Sequence, residues 1–374
     1  MKKIELLQKK FSIIRLDFKI LYLQTKKRIN QLIKGKIYID ICLKGVLINK
    51  NYNKKTKPKI SAIIPVYNCE KTIIPSIRSI QNQLFVDIEI IIINDFSKDN
   101  SSFLIEKLQR KDSRIKTINN NKNMGTLYSR CIGAIAAKGK YIFSLDHDDL
   151  FFNNDVFEYI YNVAENGNFD IISFKSIYTT SYSNKISKMF DNPFSHHRNN
   201  LTLFQPQLSK YPITKRKIYN DIHIWAKSIR NEVYKKAVNL LGEQRYSLFM
   251  SWAEDTSMIF IIFNIANSFR FVDKYGVIHL NSHVTASFTQ PKKNKFFGEV
   301  FLLDIIFDFS KNNSNKNLAV YYALFIKRHY KYYSKFKTDK EHYYLNNTLY
   351  KIINCKFINK TNKAMIKKEF KSYF

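Results

Sequence analysis

The sequence predicts an α/β fold in which a mainly parallel sheet is flanked by helices. Between residues 60 and 174, short apolar segments typical of strands alternate with longer segments of helical periodicity. Residues 88–93 are almost all isoleucine, as expected for a strand that is covered on both faces. Polar residues follow three of the predicted strands, at Asn68, Asp95 and Asp146. Because the carboxyl ends of parallel strands lie at one edge of a sheet, these three positions should meet there.

The predicted elements of this core follow one another in regular order. Strands are expected at residues 60–66, 88–93, 114–118, 139–144 and 169–174. Helices are expected at residues 70–83, 102–110, 127–137 and 155–164, with Pro75 as an interruption of the first. Further strands are expected at residues 224–229, 269–273 and 275–280, and further helices at 231–241 and 257–266. The chain beyond residue 300 has a helical pattern.

With 374 residues, the chain is long enough for one large domain with additions. We divide it into a basic helical extension and linker at residues 1–57, a core at 58–285 and a basic helical region at 286–374. Inside the core, residues 176–220 lack regular periodicity, which is typical of a functional or a disordered segment.

The chain is strongly basic, with 62 Lys and Arg against 30 Asp and Glu and a net charge of +32. This excess favours anionic partners, although a biased genome explains a chain rich in Lys and Asn equally well. No DNA- or RNA-binding signature accompanies the charge, so no specific nucleic-acid partner is predicted. Apolar residues interleaved with Lys and Arg in residues 1–57 suggest peripheral membrane association, with a helix packed on the core as the more common alternative.

The same sequence carries no mark of export or membrane insertion. The four cysteines are scattered, which favours free thiols in a reducing compartment over a disulfide framework or a zinc site. No stretch approaches the roughly 18 apolar residues of a transmembrane helix. Charged residues interrupt the apolar run near the N-terminus, which argues against a cleavable signal peptide. We therefore expect a cytoplasmic protein.

Three carboxylates follow the predicted strand at residues 139–144, at Asp146, Asp148 and Asp149. Like charges this close repel one another, and a fold tolerates them where a cation or a set of donors compensates. Hard oxygen ligands suit Mg²⁺ or Mn²⁺, ions that also hold substrate phosphates. The alternative is an acidic loop whose aspartates cap the following helix. The cluster alone does not decide between these two interpretations.

The order of five motifs resembles that of the family-2 type glycosyltransferases, which have the GT-A fold. The motifs, spread over residues 58–285, are residues 58–70, residues 91–101, residues 123–134, the DxD sequence Asp146-His147-Asp148, and the pair Glu254-Asp255. One departure is Phe96, which stands where the family usually has glycine. Residues 176–220 resemble nothing in the family pattern, so the acceptor site is not predicted.

The resemblance implies a role for each matching residue. Donor-binding residues would be Pro65, Tyr67, Asn68, Glu70, Asp95, Arg130 and Asp146. Within that set, Asp95 would contact the base or ribose of the nucleotide and Asp146 the ribose or sugar. Asp148 would bind the metal, with Asp146 and His279 as further candidate ligands. Asp255 would be the catalytic base, and Glu254 beside it is the rival for that role.

The resemblance implies a metal-dependent, inverting transfer of a sugar from a UDP- or GDP-sugar to a hydroxyl group. The acceptor would be a glycan, a lipid or a protein-linked group, and the cofactor Mn²⁺ or Mg²⁺. One alternative is a sugar-phosphate nucleotidyltransferase, but such enzymes have a glycine-rich phosphate loop and residues 65–70 contain no glycine. A second alternative is a basic, non-catalytic adaptor that keeps the same core.

Overall fold

The computed structural model describes most of the core and part of the C-terminal region. The described residues are 57–179, 190–191, 202–204, 223–250, 252–280, 292–310, 340–356 and 358–371, together with 34, 37–39, 41–44, 47, 319 and 322–323. Residues 37–39 and 41–43 are helical. Most of residues 1–57, and with them the predicted membrane contact, lie outside this set. Among the described helices, none has the length and apolar character needed to cross a bilayer.

The described strands form one mixed sheet. They are β1 (Ile60–Val66), β2 (Ile88–Asn94), β3 (Ile115–Asn119), β4 (Tyr141–Ser144), β5 (Leu150–Phe151), β6 (Ile171–Thr179), β7 (Phe190–Asp191), β8 (Thr202–Phe204), β9 (Lys227–Arg230) and β10 (Ser268–Leu280). Their order is β3-β2-β1-β4-β9-β6-β10-β5, with β7 beside β6 and β8 beside β10. Strands β3, β2, β1 and β4 are parallel, whereas β9 runs antiparallel to both β4 and β6.

Helices cover both faces of this sheet. They are α1 (Ile73–Gln81), α2 (Ser101–Gln109), α3 (Thr126–Ala136), α4 (Val156–Asn166), α5 (Asn231–Leu241), α6 (Glu243–Tyr246), α7 (Glu254–Ile265), α8 (Lys292–Ser310), α9 (Lys340–Asn354) and α10 (Lys360–Glu369). The predicted α/β fold with helical additions is confirmed. The mixed half of the sheet is the part that the alternation of strands and helices did not predict, because β9 follows residues 176–220, whose sequence has no regular periodicity.

Alternate residues of the central strands supply two separate cores. Ile63, Ile91 and Ile93 face the core that contains α3, α5, α7 and α8. Ala62, Ile64, Ile90 and Ile92 face the core that contains α1 and α4. Since successive side chains of a strand point to opposite faces, an unbroken isoleucine run serves both cores at once.

Two predicted boundaries differ from the observed ones for local reasons. Helix α1 begins at Ile73, because residues 69–72 form a turn in which the Thr72 amide donates to the Cys69 carbonyl at 2.9 Å. Pro75 then lies in the first helical turn, where no backbone donor is needed, and does not interrupt the helix. The strands expected at 269–273 and 275–280 are one strand, β10, with an irregular register near Tyr275.

Gly133 on α3 is expected to be intolerant of any side chain. A Cβ atom there would lie 2.6 Å from Ile63 Cγ2 and 2.8 Å from Ile93 Cδ1. We expect Gly133→Ala to lower the free energy of unfolding by about 1–3 kcal/mol, because overpacking outweighs the better helix propensity of alanine. Urea denaturation measures the change. Ile135→Ala, at an exposed position of the same helix, is the control and should shift stability by less than about 0.5 kcal/mol. An unchanged midpoint for Gly133→Ala would contradict the close contact.

Candidate active site

Arg130 joins carboxylates from two distant segments at the carboxyl edge of the parallel strands. Its Nη2 lies 2.5 Å from Asp146 Oδ1, just beyond β4. Its Nη1 forms an ion pair with Asp255 Oδ1 and lies 3.7 Å from Glu254 Oε1, both in the first turn of α7. The Arg130 side chain is only 3% exposed. The guanidinium is therefore occupied by protein carboxylates, and its predicted contact with a nucleotide stays a prediction.

The electrostatic consequences differ among the members of this carboxylate cluster. Burial raises the pKa of Glu254 to about 7, with the charge of Asp255 adding to the effect. Burial also raises the pKa of Asp255, although Arg130 opposes it. Burial alone would raise the pKa of Asp146, but Arg130 and His279 outweigh it and the net shift is downward. The cluster therefore combines one firmly ionised carboxylate with two that can exchange protons nearer neutral pH.

The turn that leads into α7 is strained, and residues of helix α8 hold it in place. Ala253 has φ of +59°, in the left-handed region that costs a residue with a side chain about 1–2 kcal/mol. Trp252 before it donates its Nε1–H to Glu299 Oε1 of α8 at 3.1 Å. A Cβ at Gly298 would lie 2.3 Å from the Trp252 carbonyl oxygen, so α8 contacts this backbone directly. Helix α8 thus fixes the turn that presents Glu254 and Asp255.

Asp95, predicted as a nucleotide contact, is buried and bonded to the loop before α3. Its Oδ1 accepts hydrogen bonds from Asn120 Nδ2 at 2.7 Å and from the Met124 amide at 2.8 Å. Its Oδ2 accepts from the amide of Gly125 at 2.7 Å, and Gly125, with φ of +88°, precedes the first residue of α3. Asp95 therefore fixes the start of the helix that carries Arg130. Its donor contact stays a prediction.

The other predicted donor-binding residues lie along the ends of β1 and β2. Pro65 is within β1, and Tyr67 just beyond it is 42% exposed. Asn68 Oδ1 accepts the Lys98 amide at 2.7 Å, and Glu70 Oε2 accepts the Asn100 amide at 3.1 Å. These bonds hold the two strand-end loops together, and leave the Tyr67 side chain open to a ligand.

Phe96 takes a glycine-like conformation without being glycine. Its φ is +67°, and Asn68 on the facing loop has φ of +48°. The Lys98 ammonium lies 3.4 Å from the centre of the Phe96 ring, which stabilises the pair through a cation–π interaction. The turn expected at this position of the family pattern is thus present. Left-handed non-glycine residues are concentrated at functional sites, in agreement with the predicted location.

The predicted metal ligands Asp148 and His279 differ in their contacts with the rest of the protein. Asp148 is partly exposed and makes no hydrogen bond or ion pair with another residue of the described chain. Asp149 is fully buried and lies 2.8 Å from His279 Nδ1, so it does not cap the next helix, whose N-cap is Asp155. The His279 ring stacks on Trp225 with 4.9 Å between centroids. His279 is therefore engaged with Asp149 at Nδ1, and its role as a ligand stays a prediction.

The chemistry of these side chains fits a cation that is shared with a ligand. Among the described residues, no three His, Cys, Asp or Glu side chains are arranged to hold a metal ion by themselves. Mg²⁺ and similar ions are commonly held by one or two carboxylates together with substrate phosphates. Asp148, with Asp146 two residues away, supplies that kind of incomplete oxygen set.

Two features of the site were not predicted from the sequence. Lys227 of β9 is fully buried, and its Nζ donates to the His223 carbonyl at 2.6 Å. Glu299, 3% exposed, joins Trp252 to Tyr322. The buried lysine could have been suspected from the sequence, because Lys227 stands within a mostly apolar predicted strand. No local pattern indicates the second.

Comparison with known proteins finds a family model that matches part of the chain. Residues 61–225 match the sequence model of "Glycosyl transferase family 2". The fold is similar to the crystal structure of S. aureus TarS 1-349 in complex with UDP-GlcNAc, with a TM-score of 0.59 and 16% identity. The similarity covers 84% of this chain and 89% of that one. At this identity the likeness concerns the fold alone.

Relatives of known sequence match a shorter part of the chain. An uncharacterized glycosyltransferase of Rickettsia bellii is 47% identical over 96 residues, which is 26% of this chain and 14% of the relative. The GalNAc(5)-diNAcBac-PP-undecaprenol beta-1,3-glucosyltransferase of Campylobacter jejuni is 39% identical over 93 residues, 25% of this chain and 30% of the relative. The chain thus spans less than a third of either relative's length.

Proposed function

We propose that the chain is a family-2 type glycosyltransferase, which transfers a sugar from a nucleotide diphosphate sugar to an acceptor hydroxyl. The match of residues 61–225 to the family model and the likeness of the fold to TarS support this. The observation that carries the proposal is the carboxylate cluster around Arg130. It brings Asp146, next to the candidate metal ligand Asp148, close to Asp255, the candidate base. A sugar transferase needs a metal ligand and a base near the same carbon. The diphosphate leaves one side of that carbon, and the acceptor oxygen bonds to the other.

The residues divide the chemistry between them. A divalent cation bound by Asp148, Mn²⁺ or Mg²⁺, would neutralise the charge that develops on the leaving diphosphate. Asp255 accepts the proton of the acceptor hydroxyl as the new bond forms, since an unassisted sugar hydroxyl is a poor nucleophile. Arg130 keeps Asp255 oriented and keeps Asp146 ionised. One base and a single displacement invert the anomeric centre, without a second carboxylate as nucleophile.

The acceptor is proposed by analogy with a relative. The protein of Campylobacter jejuni is named for a glycan linked through diphosphate to undecaprenol. A lipid-linked glycan of that type carries negative charge at a membrane surface, and this chain has a net charge of +32. We therefore propose a lipid-linked glycan as the acceptor. The donor is proposed to be a UDP-sugar, with a GDP-sugar as the alternative.

Nucleotide binding tests the donor half of the proposal without knowledge of the acceptor. We expect one of UDP, GDP and CDP, with Mn²⁺ present, to raise the melting temperature. At a ligand concentration of 100 times Kd, the stabilisation should be about 2.7 kcal/mol. Differential scanning fluorimetry with and without EDTA measures it, and adenosine diphosphate is the control. No shift with any of the three diphosphates would contradict the proposal. Release of pyrophosphate from a nucleoside triphosphate and a sugar phosphate would favour a nucleotidyltransferase.

A further inference from the structure

Lys227 is a buried cation that the proposed chemistry has not yet used. Its side chain is fully buried in β9, a strand that lies between β4 and β6 inside the sheet. Removing an ammonium group from water is costly unless partners compensate for the lost hydration. The Lys227 Nζ donates to the carbonyl oxygen of His223 at 2.6 Å. Its charge also acts on Asp255 of the carboxylate cluster.

The same peptide group also contacts the candidate base. The carbonyl of His223 accepts from Lys227, and the amide that follows it, on Ile224, donates to Asp255 Oδ2 at 3.4 Å. One peptide unit therefore lies between the ammonium and the carboxylate. A cation at the oxygen of a peptide polarises it and makes its N–H a better donor, because hydrogen bonds in a chain strengthen one another.

We propose that Lys227 is a positioning residue for the base: through the His223–Ile224 peptide it orients Asp255 and favours its ionised form. This inference rests on the proposed function and deepens it. Arg130 holds Oδ1 of the carboxylate and the polarised peptide holds Oδ2. With both oxygens fixed, the carboxylate keeps one orientation toward the acceptor.

The pKa of Asp255 is set by burial and by several charged neighbours, of which Lys227 is one. The neighbouring charged and titratable groups are Arg130 from α3, Asp146 after β4, Lys227 from β9, Tyr234 from α5 and Glu254 from α7 itself. Burial raises the pKa of Asp255 and Asp146 raises it further. Arg130, the Ile224 amide and Lys227 lower it. Loss of Lys227 removes one of the groups that lower this pKa and weakens another, the hydrogen bond from the Ile224 amide to Asp255.

The turn at residues 223–225, which Lys227 contacts, also lies next to the candidate metal ligand His279. Trp225 follows the bonded peptide, and its ring stacks between His223, 4.7 Å away, and His279, 4.9 Å away. If Lys227 served only to hold this turn, its loss would disturb donor binding together with turnover. If it acts on the base, turnover should fall while donor binding stays. The two roles are therefore separable by kinetics.

The test compares Lys227→Met with Lys227→Gln in the full chain. Methionine keeps the volume and loses both charge and hydrogen bond, whereas glutamine keeps a donor and loses only the charge. We expect Lys227→Met to lower kcat about tenfold on the acid limb of its pH profile and to leave the donor KM within about twofold. The acid limb of the kcat profile should move upward by about one pH unit, which is a tenfold effect on the deprotonated base below its pKa. Above that limb the two proteins should approach each other, because the base is then ionised in both.

Lys235→Met is the matched control. Lys235, a partly exposed residue of α5, also donates from Nζ to a backbone carbonyl, that of Ala137 at 2.8 Å. Its kcat profile should equal that of the unmodified protein. An acid limb that stays where it is in the unmodified protein, or a donor KM raised in proportion to the loss of kcat, would overturn the inference and leave Lys227 with a structural role. If Lys227→Met fails to fold by circular dichroism, Lys227→Gln is judged by the same criteria.

Failure of the proposed function is distinguishable from failure of this inference. Absence of sugar transfer by the unmodified protein, with any donor, would overturn the proposed function and this inference with it. Transfer by the unmodified protein with unchanged kcat and pH profile in Lys227→Met would overturn the inference alone.

Discussion

Asp148→Ala should reduce metal-dependent turnover of the donor by about a thousandfold or more, which corresponds to roughly 4 kcal/mol of lost transition-state stabilisation. The reason is chemical: the leaving diphosphate develops negative charge, and the divalent cation that Asp148 would hold neutralises it. Asp148 also makes no internal bond in the described part of the chain, so its removal should cost little stability. Donor turnover with Mn²⁺ present measures the loss of activity, and the melting temperature measures the change in stability.

Asp87→Ala is the matched control for this change. Asp87 is a partly buried aspartate at the opposite edge of the same sheet, where it pairs with Lys59 at 3.3 Å. Its removal should leave turnover unchanged, since it faces neither the donor nor the base. The variant Asp148→Ala should further lose the stabilisation by nucleotide that depends on Mn²⁺. Full turnover by Asp148→Ala would refute the assignment of Asp148 as the metal ligand.

Much of the core was predictable, because buried strands and helices produce a periodic pattern of apolar residues along the sequence. The isoleucines of β1 and β2 indicated strands covered on both faces, and the structure gives them two cores. The polar residues at Asn68, Asp95 and Asp146 indicated strand ends, and all three lie at the edge where the parallel strands end. These features depend on neighbours in sequence, so a single chain is enough to reveal them.

The contacts that organise the site were not predictable in the same way. Arg130 and Asp255 are 125 residues apart, and Trp252 and Glu299 are 47 apart. No local period relates such pairs, and a helical arginine ordinarily faces solvent. Asp95 is a similar case, because its position at a strand end suggests a ligand contact while its carboxylate bonds the loop before α3. The sequence thus indicated which residues gather at the edge, but not how each is held there.

The packing of α8 shows why the C-terminal region matters to the site. Residues 61–225 match the family model, yet the candidate base lies beyond them, on α7. The strained turn before α7 is held by Trp252, whose partner Glu299 lies further still along the chain. A protein truncated after the matched segment would therefore lack both the candidate base and its support. Helix α8, like α3, supports the candidate active site.

Asp255→Asn is expected to lower kcat by roughly 10²–10⁴-fold, the usual contribution of a positioned general base. Asparagine keeps the shape and can still accept the Ile224 amide, while its carbonyl oxygen cannot take the proton of the acceptor. The fold should persist, because Arg130 retains Asp146 and Glu254 as partners. Donor binding, measured by nucleotide-dependent melting temperature, should remain close to that of the unmodified protein.

Glu254→Gln distinguishes the base from its neighbour. Asp255 is oriented on both oxygens, by Arg130 and by the Ile224 amide, whereas Glu254 Oε1 lies 3.7 Å from Arg130. A base that must accept a proton in one direction is better served by the fixed carboxylate. We therefore expect Glu254→Gln to keep most of its turnover and to shift its acid limb to lower pH, since the loss of a neighbouring negative charge makes Asp255 more acidic. If Asp255→Asn retained its turnover and Glu254→Gln lost it, the base would be Glu254, and the role of the bonds that fix Asp255 would be to hold α7 in place.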